Sequence, residues 1–167
     1  MCLTVYVGSD VPLPVIPWDD ARPAFHVADA TDGYFSPNNP LRLHSARTYF
    51  YRLGSHDGCG CGFQSYGEEW DEAADAAVEA TTPEQQACRR AAADYLAAAL
   101  RHQPTVEVFT FCSGSESRPP SRQRTARPAD FLADPTLFDL WQRVVVSGQD
   151  AEPSATADPA RPVGESE

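Results

Sequence analysis

The run Thr48-Tyr49-Phe50-Tyr51-Arg52-Leu53-Gly54-Ser55-His56-Asp57-Gly58-Cys59-Gly60-Cys61-Gly62-Phe63 joins two kinds of sequence without a break. Its first six residues are rich in aromatic and β-branched side chains, the composition of a strand. The ten from Gly54 onward hold four of the chain's ten glycines, two of its five cysteines and one of its four histidines. A strand that feeds a tight, cysteine-bearing turn places reactive side chains on a rigid support.

Other segments read as strands on either side of this one. Cys2 to Val7 alternates Cys2, Thr4 and Tyr6 against Leu3, Val5 and Val7, and Thr105 to Phe111 sets Val106 and Val108 against Glu107, Phe109 and Phe111. Ala24 to Ala28 is a shorter candidate, with Phe25 and Val27 facing one way and His26 the other. Prolines at 12, 14 and 17 keep residues 11–18 out of a central ladder and predict an extended surface path, with Trp18 anchoring it on the core. Residues 29–42 read as loop.

Thr82-Pro83, with Gln85 three residues after Thr82, has the pattern of a capping box. Ala87, Cys88, Ala91, Ala92, Tyr95, Leu96 and Ala99 then form one helical face, and Gln103-Pro104 stops the helix. Cys88 on that face reads as a small buried hydrophobe. Gly67 to Ala80 is acidic and has helical spacing as well. Periodicity leaves two readings near the end of the apolar sequence, since Leu137 to Trp141 can open a helix while Val144, Val145 and Val146 favour a strand. The expected fold is α+β: one domain over residues 1–148, a small, mostly antiparallel sheet packed on one main helix and rich in loops. A flexible Arg-rich loop is expected at 115–128 and a disordered acidic tail at 149–167.

A net charge of −11 argues against nucleic acid and anionic membranes as partners, because both need a basic surface. The chain has no lysine, which excludes a Schiff base, a Walker-type phosphate loop and a Ser-Lys dyad. No nucleotide cofactor is indicated. Without a signal-peptide pattern or a run near 18 apolar residues, the protein is expected to be cytoplasmic. An odd number of cysteines then favours reduced thiols or metal ligands over a disulfide framework.

Thiolate and imidazole together suit zinc or another thiophilic metal. His56, Cys59 and Cys61 supply two or three ligands, and Cys2 and Cys112, each near a strand end, are candidates to complete the set. The Cys-x-Cys spacing lacks the paired Cys-x-x-Cys of zinc ribbons. Two readings stand beside this one. In the first, the glycines make only a structural turn with small cysteine fillers, and the protein is a non-enzymatic interaction module that meets a protein partner through the acidic helix or the Arg-rich loop. In the second, the loop does thiol redox or nucleophile chemistry, with Cys59, Cys61 or Cys2 as the catalytic candidate and His56 or His26 as base. Ser55-His56-Asp57 is not read as a triad, because consecutive side chains generally point apart. His44 and His102 carry no context for chemistry.

Met1 to Asp10 with Pro12-Leu13-Pro14, taken together with Gly54 to Phe63, resembles a family of small uncharacterised bacterial proteins, over the first 65 residues and Val106 to Gly114. The resemblance implies a bacterial origin and no particular activity. The lysine-free, Ala- and Arg-rich composition fits a high-GC genome. The Met1-Cys2 start also resembles the N-terminal-nucleophile glutamine amidotransferases, which begin Met-Cys-Gly. That likeness implies a Cys2 whose own α-amine serves as base. Leu3 departs from the pattern, and the chain is short for their four-layered sandwich.

Overall fold

The computed structural model of the chain describes residues 2–32, 39–64 and 81–148. The acidic stretch 67–80 and the tail 149–167 lie outside the described residues. In chain order the strands are β1 (Leu3–Ser9), β2 (His26–Asp29), β3 (Tyr49–Gly54), β4 (Thr105–Cys112), β5 (Arg122–Ala126) and β6 (Gln142–Ser147). Helix α1 (Pro83–Ala99) stands between β3 and β4, and a single helical turn, α2 (Asp130–Ala133), follows β5. The six strands form one sheet of order β2-β3-β1-β4-β6-β5, antiparallel at every pairing except β5 with β6. This is the α+β arrangement expected, with one main helix on a mostly antiparallel sheet.

β1 lies at the centre, Val5 opposite Leu53 of β3 on one side and Thr110 of β4 on the other. Leu3, Val5 and Val7 join the core under α1, which contributes Cys88, Ala92, Tyr95, Leu96 and Ala99. Tyr6 points the other way, into a second cluster with Phe50, Phe109, Phe111 and Leu41. The alternation of β1 and β4 therefore separates two buried clusters, not a buried face from a wet one. α1 starts where the sequence places it: the Thr82 hydroxyl accepts from the Gln85 amide, and the Gln85 side chain takes the Thr82 amide in return. Such a cap is worth about 1 kcal/mol.

Three expectations are corrected. The Arg-rich stretch 115–128 is not loop throughout, because Arg122–Ala126 is strand β5 at the sheet edge. Trp141 takes a φ of 64° just before β6, and its carbonyl accepts the amides of Ser121 and Arg122 at 2.8 and 3.1 Å, which starts the parallel pairing. The arginines here meet nearby carboxylates: Arg124 with Asp134 at 2.8 Å and Arg127 with Asp130 at 3.4 Å. Residues 137–147 contain both of the elements that competed for them, a 3-10 turn at Pro135–Phe138 and then β6. Finally, the proline-rich strip is anchored by Leu13, which is buried and donates its amide to the Tyr51 hydroxyl at 2.8 Å. Trp18 stays 37% exposed and packs edge-on to His26.

Candidate metal centre

The loop after β3 is built around Ser55. This side chain is fully buried, and its hydroxyl donates to the Cys59 carbonyl at 2.7 Å while accepting from the amides of Asp57 (3.2 Å) and Gly62 (3.1 Å). The Ser55 amide also donates to the Cys59 carbonyl at 2.7 Å. Gly58 supplies the positive φ, 75°, that turns the chain back. One small side chain thus fixes both flanks of the two cysteines.

Gly60 brings the loop onto the central strand. Its amide donates to the Leu3 carbonyl at 2.9 Å, and a Cβ at this position would stand 2.9 Å from both that oxygen and Val5 Cγ2. Only glycine allows that approach without displacement. Cys61 Sγ accepts the Leu3 amide at 3.2 Å, and Cys59 Sγ accepts the Cys61 amide at 3.3 Å. Cys2 precedes Leu3, and the sulfurs of Cys2, Cys59 and Cys61 all lie within 4.8 Å of one another. Sulfurs bound tetrahedrally to zinc at about 2.3 Å stand about 3.8 Å apart. The three thiols are within about 1 Å of that separation.

Burial pushes the Cys59 thiol up to about 12, against the pull of the Cys61 amide, and the neighbouring thiols of Cys61 and Cys2 push it further the same way. Cys59 resists ionising because burial and the thiols beside it disfavour its charged form. A cation among them reverses this balance, since it pairs with the thiolates and releases their protons. Cys2 is exposed, and Cys59 and Cys61 are half-buried, so the cluster is open to solvent on one side.

His56 and Cys112, also expected as ligands, stand outside the thiol group. His56 turns toward α1: its amide donates to Cys88 Sγ at 3.3 Å, and its Nδ1 lies 3.6 Å from the same sulfur. Its Nε2 meets Asp57 Oδ1 at 3.4 Å, so these consecutive side chains do meet. The result is an Asp57–His56–Cys88 chain, with Cys88 only 3% exposed and its thiol pushed up by burial. The sequence signal for Cys88 was hydrophobic, and only the fold puts an imidazole beside it. Cys112 is buried opposite Leu3 at the end of the β1–β4 ladder. His26 packs on Trp18, and His44 Nε2 lies 2.8 Å from the Glu116 carbonyl.

Among the described residues no helix is long and apolar enough to cross a membrane. Comparison with protein-family models, curated proteins and solved structures gave no match to this chain.

Proposed function

We propose that the chain binds a thiophilic metal ion, zinc or a similar soft cation, through the thiolates of Cys2, Cys59 and Cys61. The observation that carries this is the convergence of the Cys2 sulfur with those of Cys59 and Cys61, 57 and 59 positions further along the chain, two of the three already accepting backbone amides. Amide donors of this kind orient thiolate ligands and moderate their charge. Three sulfurs leave a tetrahedral ion one further position, which a water or an outside ligand fills. A cluster of free thiols fits a reducing compartment, the cytoplasm.

The test is elemental analysis of the untagged protein purified without chelator, with a native thiol count. Near-stoichiometric zinc, iron or copper, lost in Cys59→Ser/Cys61→Ser and reduced in Cys2→Ser, is the expected result. Metal retained in the double variant overturns it. So does a metal-free protein whose three thiols react freely, and that outcome moves the reading to thiol redox at the exposed Cys2.

A further inference from the structure

The sheet face away from α1 holds a cavity of about 200 Å³ that stands apart from the thiol cluster. Thr4 and Tyr6 of β1 and Arg52 of β3 form its floor; Asp29, Ser113 and Glu116 are among its walls. Arg52 sits directly opposite Tyr6 in the ladder, so the guanidinium rises from the middle of the sheet. Its Nε is buried and has no hydrogen-bond partner. A buried donor left in this way calls for an acceptor, and a carboxylate matches the guanidinium best.

One carboxylate faces the same space without pairing with that cation. Glu116 is only 4% exposed; its Oε1 takes the hydroxyls of Tyr6 at 3.3 Å and Thr4 at 3.4 Å, and its carbonyl meets His44. Burial and the Glu116 charge keep the Tyr6 hydroxyl protonated, so it serves as a donor to that carboxylate. A plain anion in the cavity would meet Glu116, and a metal cation would meet Arg52. An apolar molecule would seal Arg52 Nε off from any acceptor. A molecule with a carboxylate at one end and an ammonium at the other satisfies both.

We propose that this cavity binds a small zwitterion, a free α-amino acid with a short side chain, its carboxylate on Arg52 and its ammonium held by Glu116. Ala28 and Ala30 complete the lining, and a cavity of about 200 Å³ suits a small molecule with a short side chain.

The experiment is a titration of the isotope-labelled full chain, followed by amide NMR shifts, with three probes: L-alanine, lactate, which lacks the ammonium, and alaninamide, which lacks the carboxylate. L-Alanine should shift the amides of Thr4, Tyr6, Arg52 and Ser113 saturably, with a Kd between about micromolar and millimolar for so small a ligand. Lactate and alaninamide should each bind at least about tenfold more weakly, the loss of one charge-assisted contact. Arg52→Gln should weaken L-alanine by a similar factor while unfolding like the parent, and Glu116→Gln, which keeps an acceptor for the Tyr6 and Thr4 hydroxyls but removes the charge, should weaken it as well. No saturable shift with L-alanine overturns the proposal. Equal binding of lactate makes this a plain anion site, equal binding of alaninamide a cation site, and unchanged affinity in Arg52→Gln removes the guanidinium from it; each of these also overturns it.

Discussion

The Leu3 amide donates to Cys61 Sγ at 3.2 Å, so the central strand of the sheet and the cysteine loop share a hydrogen bond through a cysteine sulfur. Whatever changes the charge on that sulfur is felt at the start of β1, and whatever moves β1 disturbs the sulfur.

Alkaline pH should weaken the metal-free protein. Burial raises the Cys59 pKa from 9.0 to about 12, so the folded state keeps a proton that the unfolded chain releases. The contribution to stability is complete below pH 9.0 and is lost as pH rises from there through about 12. Denaturant midpoints in chelator should fall across that window and fall less in Cys59→Ser. Cys88, Tyr6, Tyr51 and Tyr95, raised by burial too, contribute to the remaining slope. Metal affinity should run the other way and rise with pH, because the ion displaces thiol protons.

Gly60→Ala should destabilise the fold by about 1–3 kcal/mol, the usual cost of forcing extra volume into a packed contact. The new methyl meets the Leu3 carbonyl and Val5 Cγ2, so the loop must leave β1. Chemical denaturation checks the first effect. Weaker metal binding in the same variant checks that the sulfurs were held by this approach.

Ser55→Ala removes one hydroxyl that serves two amides and a carbonyl, all near the buried floor of the loop. Leaving them without that partner should cost about 1–3 kcal/mol. Hydrogen exchange at Gly62 and Asp57 should accelerate, and amides in α1 should not respond.

His56→Ala should leave metal binding nearly intact. The imidazole lies against Cys88 and Asp57, not within the thiol group, so the change should stay well below the roughly 10–100-fold that an outer-shell partner costs. A competition titration with a chelating dye measures it. A complete loss of the ion would return His56 to the ligand set.

Much of the fold is legible in the residues themselves. β1, β3 and β4 announce themselves by aromatic and β-branched runs, and α1 by Thr82, Pro83 and Gln85, because these signals are local. β5 is not legible: it lies at the edge with four of its five side chains not buried, so Arg122 to Ala126 shows no apolar alternation. The site was legible in composition and not in direction. Cys59 and Cys61 stand out in any reading, and Cys2 was among the candidates, but which of Cys2, His56 and Cys112 joins them depends on where β1 lies and which way His56 turns. Both are long-range facts, as is the meeting of His56 with Cys88, 32 residues away.

The position of β1 also dictates an order of assembly. Val5 must wait for Leu53, and Leu3 for Cys112, so a strand apolar on both sides is made early and enclosed late. Sheets closed by such distant partners form slowly and expose sticky surface meanwhile. The cysteine loop is made well before β4, and an ion bridging Cys2 to Cys59 and Cys61 would tie β1 to the loop after β3 at that earlier stage. A metal supplied during synthesis would then act as a clasp on the nascent chain, closing the longest gap in the first half of the sequence before the second half arrives to cover it.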